Sequence, residues 1–240
     1  MNDPKIIAMI PARIGSTRLK MKNLALVNGK PLIYYAIRAA LDSGVFDRIV
    51  LNSDHELFKK IAYRYGVEFY HRPAELGSST TKSDDVVMDF MEKNPCDVIA
   101  WVNPTSPLQT GEEVGKVVRY FQEEGLDSLI TVKDEQVHCV YKGKPVNFEP
   151  LERFAQTQDL TPAQAFVYSV MIWRTRTFMS QYRAKGYALF CGKRGTFPVS
   201  RLSSIIIKRQ EDLMLADFLL RALGGDNTYQ VQYDRLTELL

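Results

Sequence analysis

Short apolar runs alternate along the chain with longer stretches in which apolar residues recur every three or four positions. Residues 6–10 (IIAMI) have the length and β-branched content of a buried strand, and Pro11, which has no N–H to give a ladder, is expected to stop it. Leu32, Ile33, Tyr35, Ala36, Ala39 and Ala40 then fall at helical spacing, with Pro31 suited to the first turn and Ser43-Gly44 to the end. Residues 48–52 read as the next strand. Ser53-Asp54 offers an N-cap to a helix holding Leu57, Ile61 and Ala62, and residues 67–70 form a third strand. Ser83 can cap a helix with Val86, Val87, Phe90 and Met91 inward, which leads to a buried strand at 97–102. Gly111 opens and Gly125 closes a helix carrying Val114, Val117, Val118 and Phe121, and residues 128–132 are a strand.

Beyond residue 133 the pattern weakens. Gly143, Pro145 and Pro150 interrupt it, and residues 133–165 read as a β-hairpin-and-loop excursion from the sheet. Residues 166–173 are again a buried strand, and Arg174-Thr175 leads into a helix. A last helix begins near Gln210, with Leu213, Met214, Ala216, Leu219 and Leu220 expected in the core. The βαβ rhythm predicts an α/β fold of three layers, a mostly parallel twisted sheet with helices on both faces and one small β-rich excursion.

The 240 residues fit one domain, 1–240, long enough to bury a continuous core. Lys plus Arg number 31 against 28 Asp plus Glu, so no global field favours nucleic acid, although local positive charge can serve a small anion. Cys96, Cys139 and Cys191 are far apart, odd in number and without CxxC spacing, which reads as reduced structural thiols. The apolar run at the start is too short for a signal sequence and no window reaches a membrane span, so a cytoplasmic protein with no membrane partner is expected.

Candidate chemistry sits first in the loop after residue 10, which gathers Arg13, Arg18, Lys20 and Lys22 with Gly15, Ser16 and Thr17. Such a loop is often merely solvated, but this one lies at the carboxyl end of the first strand, where open α/β sheets bind ligands, and a polyphosphate is its simplest ligand. The sequence GxxxxGK[ST] does not occur, which disfavours P-loop chemistry. Arg72 precedes Pro73 and is therefore held extended, able to aim a guanidinium from a strand end; an exposed turn is the alternative. Pro104 and Pro107 stiffen a turn at 103–108 that presents an amide and hydroxyls at the same sheet edge.

The order of these residues carries a family resemblance. IPARxGSTRL at 10–19, Lys22-Asn23, GKPLI at 29–33, RPAEL at 72–76 and NPTSPL at 103–108 resemble the acylneuraminate (CMP-sialic acid or nonulosonate) cytidylyltransferases, with some likeness to the 3-deoxy-manno-octulosonate enzymes in GSTRL. The resemblance implies a Rossmann-like nucleotidyltransferase domain that moves CMP from CTP to the anomeric hydroxyl of an acidic keto sugar and releases pyrophosphate. It implies phosphate contacts from the catalytic residues Arg13 and Lys22, and nucleotide contacts from backbone at Ala12 and from Ser16, Arg18, Asn23, Arg72 and Ser83. Asn103, Ser106, Gln109 and Gln158 would face the sugar, with Asn103 and Gln109 standing where the family has glutamine and arginine. Thr157 replaces a sugar-contacting arginine, for which Arg153 or Arg174 could substitute, and Tyr168-Ser169 replace an Asn-Gly pair. A homodimer built through 133–165, which also covers the sugar, and a magnesium ion are implied as well.

One departure stands out. Where the resembled enzymes carry two aspartates that hold magnesium, this chain has Ile206 and Lys208, neither of which supplies the oxygen a hard cation needs. Three readings stay open: magnesium arrives chelated by the nucleotide, Lys208 replaces part of its charge, or the protein binds nucleotide without turnover. An octulosonate-type or other sugar nucleotidyltransferase is the nearest alternative activity.

Overall fold

In the computed structural model, residues 4–151 and 153–224 are described. In chain order these form β1 (Ile6–Ala12), β2 (Leu26–Val27), β3 (Lys30–Pro31), α1 (Leu32–Ser43), β4 (Arg48–Ser53) and α2 (Leu57–Arg64). Next come β5 (Glu68–His71), α3 (Ser83–Lys93), β6 (Val98–Val102), α4 (Gly111–Glu123) and β7 (Ser128–Glu135). The rest comprises β8 (Val140–Tyr141), β9 (Lys144–Pro145), β10 (Ala163–Arg174), α5 (Thr175–Lys185), β11 (Arg194–Pro198) and α6 (Gln210–Leu223).

Seven strands make one sheet in the order β11-β7-β10-β6-β1-β4-β5. Only β10 runs against its neighbours; the pairs β1–β4, β1–β6, β4–β5 and β7–β11 are parallel. Because side chains alternate across a strand, β1 feeds two cores at once. Ile6, Ala8, Ile10 and Ala12 pack with α1, α2 and α4, whereas Ile7 and Met9 pack with α3 and α5 on the other face. The predicted three-layer α/β architecture is the one observed.

Several boundaries differ from the sequence expectation, each for a physical reason. Pro11 does not stop β1, which continues to Ala12 in register with Ser53 of β4. The β6 ladder ends at Met9, so at Pro11 the strand is paired on one side only, and a missing N–H is tolerated there. Neither Ser53-Asp54 nor Ser83 caps a helix by its side chain: α2 begins at Leu57 after Glu56, and Ser83 is itself the first residue of α3. Thr110 does cap α4, its Oγ1 accepting from the Glu113 N–H at 3.2 Å.

β7 runs three residues past the predicted end at 132, because its extension pairs with the start of β10. The excursion is thereby reduced to the β8–β9 hairpin and the loop that follows. Val132 pairs with Phe166 but Ile130 with Met171, so residues 167–170 bulge out opposite the single Thr131. Tyr168 in this bulge holds a φ of 59°, a left-handed conformation uncommon for a bulky side chain. α6 is not core packing as expected. Only Ala216 is fully buried; Leu213 and Leu220 lean on a small cluster with Val27, Leu32 and Ile207, and Met214 and Phe218 are exposed.

Candidate functional site

The carboxyl ends of β1, β5 and β6 meet at one cavity of about 270 Å³. Its walls bring together Ala12 at the end of β1, Arg13, Ser16, Arg18, Lys22 and Asn23 from the loop that follows, Arg72 after β5, Ser83 at the start of α3, Asn103 after β6, and Lys208 before α6. Thr17, Ser78, Ser79, Thr81, Trp101 and Thr105 also line it. Ser106, Gln109 and Gln158 do not.

The loop after β1 is held by a carboxylate that sequence reading took for a helix cap. Asp54 Oδ1 accepts from the Ile14 N–H at 3.3 Å and lies 3.6 Å from Arg72 Nη2. The same Nη2 donates to the Ala12 carbonyl at 3.0 Å. Arg13 Nη1 in turn donates to the Ser78 carbonyl at 3.1 Å, tying the loop after β1 to the segment before α3. Gly77 permits this approach, since a Cβ there would stand 2.2 Å from Asp54 Oδ2. Next, Met21 adopts a left-handed φ of 49°, and the 3₁₀ turn Lys22–Leu24 that follows buries Asn23 against the cavity.

Three polar groups on these walls lack a partner among the described residues: Asn23 Oδ1, Arg72 Nε and Trp101 Nε1. Asn23 and Arg72 are 6% and 4% exposed. A buried polar atom left unpaired costs about 1–3 kcal/mol, so three on one cavity wall mark a place where a ligand completes the hydrogen bonding.

The charge of the cavity is one-sided. Arg13, Arg18, Lys22, Arg72 and Lys208 contribute five cationic side chains, and among the described residues no Asp or Glu lines it. Lys22 donates from Nζ to the Ile207 carbonyl at 3.0 Å. Its pKa falls to about 8, first through burial and then through Arg18, Arg13 and Lys208, with Asp212 opposing. Burial also lowers the pKa of Arg72, against the pull of Asp54. Ile206 and Lys208 offer no oxygen, and among the described residues no group of three His, Cys, Asp or Glu side chains is arranged to hold a metal. This donor set does not fit a magnesium ion gripped by the protein.

Just after β6, Asn103 is largely engaged within the protein. Its Oδ1 accepts from the Thr105 N–H and hydroxyl at 3.1 and 2.8 Å, and its Nδ2 donates to the Tyr168 carbonyl at 3.0 Å. Gln109 is buried and donates from Nε2 to Ser169 Oγ at 3.2 Å, which is also 3.0 Å from Thr131 Oγ1. Ser106, 1% exposed, lies beneath the turn. Gln158 is exposed in the excursion and bonded to Gln156. Arg174 pairs with Val98 at the opposite end of β6, where its Nε donates to the Leu126 carbonyl at 2.7 Å, so it cannot replace the lost arginine in the cavity.

Comparison with known proteins follows the same lines. The family model described as "Cytidylyltransferase" matches residues 7–213. The chain belongs to the cytidylyltransferase family. The chain is 26% identical over 249 aligned positions to the N-acylneuraminate cytidylyltransferase of Streptococcus agalactiae serotype III, covering 97% of the chain but 59% of that relative. It is 34% identical over 128 positions to N-acylneuraminate cytidylyltransferase A of Danio rerio, covering 53% of the chain and 30% of the relative. The chain thus spans about three fifths or less of the length of these relatives. Among solved structures, CMP:2-keto-3-deoxy-manno-octonic acid synthetase complexed with CTP superposes with a TM-score of 0.68 over 91% of the chain and 99% of that structure. At 15% identity that likeness is one of fold. No helix among the described residues is long and apolar enough to cross a membrane.

Proposed function

We propose that this chain transfers CMP from CTP to the anomeric hydroxyl of an acidic keto sugar, a sialic-acid-like nonulosonate, with release of pyrophosphate. The observation that carries it is the cavity at the carboxyl edge of the sheet, where five cations and, among the described residues, no carboxylate meet unpaired polar groups of Asn23, Arg72 and Trp101. The family match over residues 7–213 and the likeness to N-acylneuraminate cytidylyltransferases support the choice of CTP and of an acidic sugar acceptor.

In such a transfer the sugar oxygen must reach the α-phosphorus in line with the departing pyrophosphate, so the protein's work is alignment and neutralisation of charge. Arg13, Arg18 and Lys22 take the phosphates, with Ser16 as a further donor. Backbone at Ala12 and the side chains of Asn23, Arg72 and Ser83 take the cytidine, Arg72 also by holding the Ala12 carbonyl in place. Asn103 offers its remaining N–H to the sugar, while Ser106 and Gln109 support the turn and the β10 bulge from beneath and Gln158 belongs to the covering loop. Among the described residues the cavity lacks the carboxylates to bind magnesium, so any such ion would come held by the nucleotide's own phosphates and water. A homodimer through the excursion and a cytoplasmic location complete the proposal, the latter in keeping with three free cysteines.

The test is pyrophosphate release from CTP, with UTP, ATP and GTP as controls, in the presence of nine-carbon and eight-carbon 2-keto sugar acids. Release with CTP and a nonulosonate is expected, and Arg13→Ala should abolish it while leaving the melting temperature unchanged. Release with the eight-carbon acid alone would shift the acceptor to the octulosonate class. CTP binding without release for any sugar acid would leave a nucleotide-binding protein without catalysis.

A further inference from the structure

The segment before α6 places a second lysine against the cavity by a set of backbone bonds that leave it little choice. The Ile207 N–H donates to the Thr105 carbonyl at 2.9 Å, and the Ile207 carbonyl accepts from Lys22 Nζ at 3.0 Å. The Ile207 side chain is fully buried among Val27, Leu32 and Ala216. On its other side, Asp212 Oδ2 accepts from the Lys208 and Arg209 N–H groups at 2.8 Å each. The backbone on both sides of Lys208 is therefore anchored, and its side chain joins the cavity wall.

A nucleoside triphosphate brings about four negative charges, which a partly buried cavity must neutralise. Arg72 has Asp54 beside it at 3.6 Å to offset its charge, so Arg13, Arg18, Lys22 and Lys208 remain for the phosphates. Burying Lys22 among three other cations is unfavourable until an anion arrives, which is the arrangement expected of a site pre-organised for a polyanion. Among the described residues no carboxylate lines this cavity to receive a divalent cation.

We propose that Lys208, together with Lys22, neutralises the triphosphate directly, so that this site binds CTP without a divalent cation. This rests on the nucleotide reading above and names the groups that do its electrostatic work. A lysine ammonium can contact non-bridging phosphate oxygens from a position where a metal would otherwise need oxygen ligands from the protein.

The experiment is calorimetric titration of the full chain with CTP in chelator-treated buffer and again with magnesium, for the wild type, Lys208→Ala and Lys208→Asp. Residue 208 is exposed, so the variants should keep the fold, which thermal melts without nucleotide will verify. In the wild type, metal-free affinity is expected to equal or exceed that with magnesium. Lys208→Ala should weaken metal-free binding by about tenfold or more, the usual loss for a charge-assisted contact. Lys208→Asp should bind CTP measurably only when magnesium is present. Wild-type binding that requires magnesium, or that is unchanged by Lys208→Ala, overturns this proposal and leaves the nucleotide site standing. Absence of CTP binding in both arms overturns the nucleotide site and this proposal with it.

Discussion

Lys22 is a cavity lysine whose burial has measurable consequences. With a pKa near 8 in the free site against 10.5 for an exposed lysine, it is charged at neutral pH and neutral in mildly alkaline buffer. A bound polyphosphate restores the charged form, so CTP binding should take up a proton above about pH 8, and affinity should fall as pH rises from there. Stability moves the other way. Between about 8 and 10.5 the unfolded chain holds more protons at this position than the folded one, so stability rises with pH across that window, and below it the cost of the buried charge is present in full. Titrations in two buffers of different ionisation enthalpy would measure the proton uptake; CTP affinity constant from pH 7 to 9.5 would remove Lys22 from the phosphates. Much of this neighbourhood was legible in the sequence, because Ala12, Arg13, Ser16, Arg18, Lys22 and Asn23 lie within one loop whose place at a strand end follows from the apolar run before it. Asp54 was not, because an acidic residue after a strand looks the same whether it caps a helix or holds a distant arginine. Ser106 and Gln109 share the motif of Asn103, yet turning inward depends on Ser169 and Thr131, which only the folded sheet brings close.

At the scale of elements, the two loops that flank the cavity are coupled through one glycine. Gly77→Ala would drive a methyl into Asp54, with Cγ and Cβ of that side chain at 2.6 and 2.8 Å as well as the carboxylate oxygen. The clash should cost about 1–3 kcal/mol and displace Asp54 from Ile14 and Arg72 together. A lower melting temperature accompanied by several-fold weaker CTP binding is expected; a lower melting temperature with CTP affinity unchanged would mean that Asp54 does not set the loop. The elements missed or misjudged have physical causes of the same kind. β11 (Arg194–Pro198) carries Gly195 and Pro198 and only Phe197 as a large apolar residue, so it has no strand signal of its own and exists because β7 offers it an edge. For α6 the helical period was sound, but a period reports only that one face is apolar and says nothing of what covers it.

At the scale of the molecule, the parallel strands β1, β4, β5 and β6 end together, which is why residues as far apart in sequence as Ala12, Arg72 and Asn103 share one wall. The excursion beyond β7 adds nothing to that wall; it carries Val140, Tyr141, Val146, Leu151 and Phe154, all exposed, on a hairpin and loop with little core of its own. Clustered exposed apolar side chains of this kind commonly belong to an interface, and the proposed second copy of the chain would cover them. Light scattering behind size exclusion should accordingly report a dimer, and Val140→Glu with Tyr141→Glu should yield a monomer. Since both substitutions lie outside the cavity, CTP affinity should stay within about twofold, as for independent sites, whereas turnover should drop if the partner's excursion covers the acceptor sugar. A wild-type chain that remains monomeric at high concentration would remove the dimer from the proposed function and leave the nucleotide cavity, which one chain builds alone, untouched.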